Sequence, residues 1–196
     1  VGRYLFAKRG LLTLSAAHVA VFTRSRPDLS GPDIQYHILP ATMDAEKLSN
    51  EQVMELEKEP GLTIAPCQLR PESRGSVHLK SADPLAHPAI QPNYLADPID
   101  REVTIAGLKF GRRIAATDPL ASYIDHETYP GSALTSDEEL LGYAREKGTT
   151  IYHPVGTCAM GRHAGAVVDP ELRVIGVEGL RVVDASIMPR RVSGNT

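Results

Sequence analysis

The chain has 196 residues, enough for one sizeable core or for one domain together with part of another. Its 42% hydrophobic and 23% charged residues are those of a folded globular protein and exclude a disordered one. A net charge of −3, with both signs interspersed, excludes the basic footprint of a nucleic-acid-binding surface.

No apolar run reaches the roughly 18 residues of a membrane span. The longest, residues 16–22, is interrupted by His18 and reads as a buried strand. The arginine pairs Arg112-Arg113 and Arg190-Arg191 are isolated and read as solvated surface. Cys67 and Cys158 make no disulfide framework and read as small buried hydrophobes. The first residue is Val1 and no leader is visible, so an upstream start is expected and a cytoplasmic location is the default.

In chain order, residues 15–23 and 33–39 are β-branched or aromatic enough for strands, with Arg26-Pro27 and Gly31-Pro32 marking the loop between them. Residues 44–59 are charged helix formers ended by Pro60-Gly61, and predict an exposed helix. Residues 62–69 and 76–79 are strand candidates joined by a polar turn through Glu72 and Gly75, which predicts an antiparallel sheet.

A helix is predicted over 99–116, because Ile99, Val103, Ala106, Phe110 and Ile114 recur at spacings of three and four, behind an Asp97-Pro98 cap. A second is predicted over 137–147, with Ser136 and Glu139 spaced as a capping box and Gly148 as its stop. Thr150, Ile151 and Tyr152 then lead extended into His153-Pro154, where the proline disfavours helix at His153. Finally, residues 172–175 and 180–183 are two β-branched runs joined by 176–179. The second closes on Asp184-Ala185-Ser186, as strands do at the carboxyl edge of a doubly wound sheet.

The chemistry narrows by elimination. His153, Cys158 and His163 are spaced H-x4-C-x4-H, which is not a usual zinc pattern, so no metal is expected. There is no G-x-S-x-G elbow, no P-loop and no G-x-G-x-x-G fingerprint. What remains is residues 152–157 (YHPVGT) and, further on, Val192-Ser193-Gly194-Asn195. An imidazole such as His153 accepts protons near neutral pH, and an amide such as Asn195 can donate to an oxygen gaining negative charge. On the residues alone, a buried histidine satisfied by a backbone carbonyl, with Asn195 capping a turn, is the more common arrangement.

The segments 152–161 (YHPVGTCAMG), 167–170 (VVDP), 172–174 (LRV), 180–189 (LRVVDASIMP) and Ser193-Gly194-Asn195 together resemble the C-terminal signature of the glucose–methanol–choline oxidoreductases. Within that family they are most similar to the choline dehydrogenase-like alcohol dehydrogenases. Residues 33–40, 75–84 (GSVHLKSADP) and 88–95 (PAIQPNYL) resemble that group's substrate domain.

The resemblance implies FAD as cofactor and oxidation of a small-molecule alcohol to an aldehyde. It implies an α+β substrate-binding domain over 1–163, with a largely antiparallel sheet and flanking helices. Residues 164–196 would be the truncated C-terminal strand segment of a doubly wound FAD-binding domain. His153 matches the catalytic base and Asn195 the second active-site position. Asp184 and Ala185, with Asn195 and Thr196, match residues lining the flavin, and Tyr152 the aromatic position on the substrate side.

The resemblance also implies partners beyond the 196 residues: an N-terminal portion with the glycine-rich pyrophosphate loop, and a following helix whose N-terminus points at the flavin ring. Alone, the chain is expected to be colourless and inactive. Two other readings accompany this one, a cyanohydrin lyase of the same family and a non-catalytic fragment or split subunit. Choline as substrate would need an aromatic cage, and the chain has no tryptophan.

Overall fold

The computed structural model describes residues 2–8, 15, 17–43, 47, 55–194 and 196. They form helix α1 (Gly2–Ala7), strands β1 (Val19–Thr23), β2 (Ile34–Leu39), β3 (Thr63–Gln68), β4 (Ser76–His78) and β5 (Ala89–Gln91), and helices α2 (Pro98–Ala115) and α3 (Asp137–Lys147). The chain divides into two compact units, Val1–Gln68 with Glu102–Thr149, and Leu69–Arg101 with Thr150–Thr196. The predicted antiparallel architecture is present, as a three-stranded sheet β1-β2-β3 and a two-stranded sheet β4-β5.

The first unit is built on β2. Ile34 and Tyr36 alternate toward one face of the sheet, where Val103 of α2 completes the buried cluster and Val21, Ile38, Ile64, Phe110 and Ile114 pack around it. The Tyr36 hydroxyl donates to the Gly107 carbonyl at 2.6 Å. That approach is possible because α2 turns glycine toward the sheet: a Cβ at Gly107 would stand 3.0 Å from Pro66 Cβ, and one at Gly111 3.5 Å from Tyr36 Cε1. Pro66 is tolerated in β3 because β3 is an edge strand. Burial pushes the Tyr36 phenol well above its ordinary pKa, so it stays a neutral donor.

Helix α3 begins and ends where its sequence predicts. Ser136 Oγ accepts from Glu139 N while Glu139 Oε2 accepts from Ser136 N, a complete capping box. Gly148 is its stop, as expected, with no left-handed turn. Its φ is −67°, but a Cβ there would lie 2.2 Å from the Ala144 carbonyl oxygen. Arg112 is not solvated surface: its guanidinium grips the Glu127 carboxylate at 3.0 and 3.1 Å and donates to the Leu134 and Gly131 carbonyls.

Other expectations need correction. Strands β3 and β4 do not pair with each other. β3 joins β2, and β4 pairs with β5, a three-residue strand too short for an alternation pattern to announce. Strand β1 is not buried, since Val19 and Phe22 are about half exposed at the sheet's edge. Neither cysteine is in a disulfide among the described residues, and both are half-buried. Most of the helix predicted over 44–59 lies outside the described residues, and its described end is not helical: Leu56 bridges Met43, and Glu57 N donates to Thr42 O.

In the second unit Leu69 and Val168 are buried, and so is the Asp100 carboxylate, which accepts from Glu72 N and Ser73 N at 2.8 Å each. The predicted strands at 172–175 and 180–183 are a single antiparallel bridge, Arg173 to Arg181. Val174 N donates to Leu180 O and Val182 N to Leu172 O across a turn with Gly176 and Gly179 at positive φ. Val174 bridges Val168 on the other side, so the run makes isolated bridges and no ladder. Ile175, Val177, Leu180 and Val183 remain at least half exposed. No described helix is long and apolar enough to cross a membrane.

Candidate active site

Residues 150–161 have no regular secondary structure, so their position depends on turns and on main-chain bonds to the segment near residue 186. Thr150 starts the approach by accepting from Tyr152 N through its hydroxyl at 3.0 Å. Tyr152 is not extended as expected: its φ of +61° is left-handed, a conformation uncommon for a bulky side chain. The ring it carries is mostly exposed. Pro154 follows His153 and fixes the next step of the chain.

At Gly156 φ is +92°, and the chain turns back. The Ser186 carbonyl then accepts from both Gly156 N and Cys158 N, at 3.1 and 3.0 Å, and the Ile187 carbonyl accepts from Met160 N at 2.8 Å. The short 3₁₀ turn Ala185–Ile187 that presents these carbonyls is capped by Asp184, whose Oδ1 accepts from Ser186 N at 2.8 Å. Hydrogen bonds from the Ser186 side chain and backbone hold the Asp184 carboxyl below its usual range. Thus the histidine segment and the Asp184-Ala185 turn, separate in the sequence, are laced together through three main-chain bonds.

His153 itself is half-buried. Its Nδ1 lies 2.9 Å from Thr196 Oγ1 and 3.3 Å from Thr196 N, a contact across 43 positions of sequence. Thr196, expected at the cofactor, therefore has its hydroxyl on the histidine ring. Asn195 lies outside the described residues. Among the described residues no three His, Cys, Asp or Glu side chains gather as a metal site would require.

Two features escape a reading of the sequence. The Ser186 carbonyl is the anchor of the whole segment, and no side-chain pattern announces a backbone acceptor. Asp169 accepts from Arg173 N at 2.9 Å and pairs with Arg173 Nε at 2.8 Å, bracing the turn below the bridge. Its D-x-x-x-R spacing is the signal that could have found it.

Comparison with known proteins agrees with the resemblance. Residues 71–196 match the family described as GMC oxidoreductase. The chain is 44% identical over 98% of its length to an alcohol dehydrogenase [acceptor] of Pseudomonas putida, covering 34% of that protein. It is 43% identical over 89% of its length to human mitochondrial choline dehydrogenase, covering 29% of it. It is also 41% identical, over its whole length and 34% of the relative, to a chloroplastic fatty acid photodecarboxylase of Chlamydomonas reinhardtii. Among solved structures it resembles pyridoxine 4-oxidase from Mesorbium loti, with a TM-score of 0.75 and 29% identity, over 90% of this chain and 34% of that one. The chain thus spans about a third of the length of the curated relatives it matches. It belongs to the GMC oxidoreductase family.

Proposed function

We propose that the chain is the C-terminal part of an FAD-dependent oxidoreductase that converts a small-molecule alcohol to an aldehyde, with His153 as the base. One observation carries this reading: Nδ1 of His153 is held by Thr196, which leaves Nε2 as the ring nitrogen available to a substrate. Tyr152 would offer an aromatic wall beside it, and Asn195 a second donor to the substrate oxygen. Residues 1–163 would serve the substrate and 164–196 the flavin-binding domain, in partnership with an N-terminal portion.

The residues present suit one edge of a flavin ring system. Asp184 Oδ1 accepts from Ser186 N, which fixes the carboxylate on the turn, and the turn offers its backbone and the small Ala185. Val183 beside it is 73% exposed. No glycine-rich fingerprint occurs in the sequence, so the cradle for the pyrophosphate would come from the N-terminal portion.

The chemistry supplied by bound flavin is acceptance of hydride from the alcohol's α-carbon. This chain's part is the proton. His153 accepts it from the hydroxyl at Nε2, and Asn195 donates to the oxygen as negative charge develops there.

The test uses the longer protein containing this chain. His153→Ala should slow flavin reduction by about 10²- to 10⁴-fold, the usual worth of a positioned base, with flavin content kept. An unchanged rate removes His153 from the reaction. The same assay separates the other readings, because a lyase or a non-catalytic subunit would not bleach the flavin with any alcohol. The photodecarboxylase among the relatives makes that measurement necessary, since similarity over this third does not fix the reaction.

A further inference from the structure

No helix or strand carries His153, so the torsions of its two neighbours aim its ring. Pro154 fixes the step after it. The step before it is Tyr152, whose φ of +61° is left-handed. For a residue with a bulky side chain that region is disfavoured by about as much as one hydrogen bond contributes. Such a conformation persists only where the chain on both sides over-determines it. The Tyr152 ring is mostly exposed, so side-chain packing supplies little of that support.

The two sides can be named. Beyond His153, the Ser186 and Ile187 carbonyls hold Gly156 N, Cys158 N and Met160 N. Before it, Tyr152 N donates to Thr150 Oγ1 at 3.0 Å. An N–H lies in the plane of its own peptide. This bond therefore sets the rotation of the Ile151–Tyr152 peptide plane, and φ of Tyr152 has to close the angle to the anchored chain beyond. We propose that Thr150 is a positioning residue of this site: its hydroxyl fixes the peptide plane that turns Tyr152 left-handed, and so aims the His153 imidazole. The role rests on the reading of His153 as the base, and Thr150 acts through the backbone without touching a reacting atom.

Deleting the hydroxyl should show it. Thr150→Val keeps the shape of the side chain and removes the acceptor. Tyr152 N then bonds to water, which does not dictate the peptide plane. The tyrosine should relax toward the extended region, and the ring of the next residue should move with it. The anchors at Ser186 and Ile187 stay in place, so the displacement is confined to the residues around His153.

The experiment uses the full-length flavin-loaded protein, with its crystal structure and stopped-flow measurement of flavin reduction. In the parent, Tyr152 should be left-handed and bonded to Thr150. In Thr150→Val its φ should return to negative values, with flavin content kept. Flavin reduction at saturating alcohol should fall about ten-fold, the scale on which one hydrogen bond biases an equilibrium. Thr150→Ser, which restores the acceptor, should recover most of the rate. In a protein already carrying His153→Ala, adding Thr150→Val should slow reduction no further, because a residue that acts through His153 has nothing left to aim.

A parent structure with Tyr152 at negative φ overturns the proposal without any variant. So does Thr150→Val that reduces flavin at the parental rate, or a Thr150→Ser as slow as Thr150→Val. Equal slowing by Thr150→Val with and without His153 overturns it too, since Thr150 would then act independently of the base. If His153→Ala is slow while Thr150→Val is parental, the positioning role alone falls. If His153→Ala is itself parental, the functional reading falls with it.

Discussion

In the first unit Ile34, Tyr36 and Val103 are gathered between a three-stranded sheet and one face of α2. In the second, the segment carrying His153 is held by main-chain bonds to Ser186 and Ile187 and by backbone turned through positive φ at Tyr152 and Gly156. Apolar burial is non-directional and proportional to area, so it fixes a layer without fixing any one atom closely. Main-chain hydrogen bonds work the other way: each contributes little net stability but sets a position within tenths of an ångström. A site that must present one ring nitrogen is better served by the second kind of support.

The difference can be broken most forcefully at Tyr36. Its ring is fully buried, packs 5.8 Å from the Phe110 ring and donates to Gly107 O. Tyr36→Ala should cost about 3–5 kcal/mol, the range for emptying a large aromatic from a core, and leaves the Gly107 carbonyl without its donor. Denaturant unfolding of the longer protein would measure it. A loss below about 1 kcal/mol would mean the site collapses around the gap, and that the sheet–helix core is not what holds this unit.

A pair of identical substitutions sharpens the comparison at a smaller scale. Gly156→Ala places a Cβ 3.5 Å from the Met188 carbonyl, which is ordinary contact, so space is not the difficulty. The difficulty is φ at +92°, worth about 1–2 kcal/mol for a residue with a side chain. It should be relieved by moving the His153 segment, so flavin reduction should fall while the global unfolding midpoint changes little. Gly107→Ala has the opposite fault: its helical backbone is permissive, but its Cβ would press on Pro66 at 3.0 Å. Crowding should outweigh the gain in helix propensity, for a net loss of about 1 kcal/mol, with the flavin reduction rate retained. If Gly156→Ala lowers the midpoint and spares the rate, the two units are supported in the same way and the distinction fails.

Legibility in the sequence divides along the same line. Helices α2 and α3 are readable to within a residue, because periodicity and caps are local and act where they are written. The strands β1, β2 and β3 are readable too, but not the partner of β3, since pairing is chosen by tertiary contact and not by the run itself. At the site, His153 stands out from the residues around it, yet the sequence predicts an extended Tyr152. A left-handed φ at an aromatic residue is imposed by the surrounding bonds and leaves no mark in composition. The contact between His153 and Thr196 is beyond reach for the same reason: 43 positions separate them, and only the folded chain brings them together.

The smallest effect concerns the capping box of α3, where support is local and the test is pH. Glu139 Oε2 accepts from Ser136 N, Ser136 Oγ and Thr135 N, and these bonds, the Ser136 backbone bond foremost, hold its carboxyl below the usual range. A carboxyl depressed in the folded state contributes stability that is fully present above its unfolded pKa. That stability is lost as pH falls through the folded value. Glu139→Gln keeps an oxygen that can accept from the backbone but removes the charge and its titration. The melting temperature of the variant should therefore lie below the parent's at neutral pH, and the gap should close in acid. Asp169 and Asp184 are also depressed, by bonds to Arg173 and Ser186. Both are present in parent and variant, so their contribution cancels in the difference. The group is fully exposed, and solvent screening keeps the effect small. A gap that stays constant from neutral to acid pH would show that the box works through its neutral hydrogen bonds alone. A gap that widens in acid would reverse the sign and rule out a depressed Glu139.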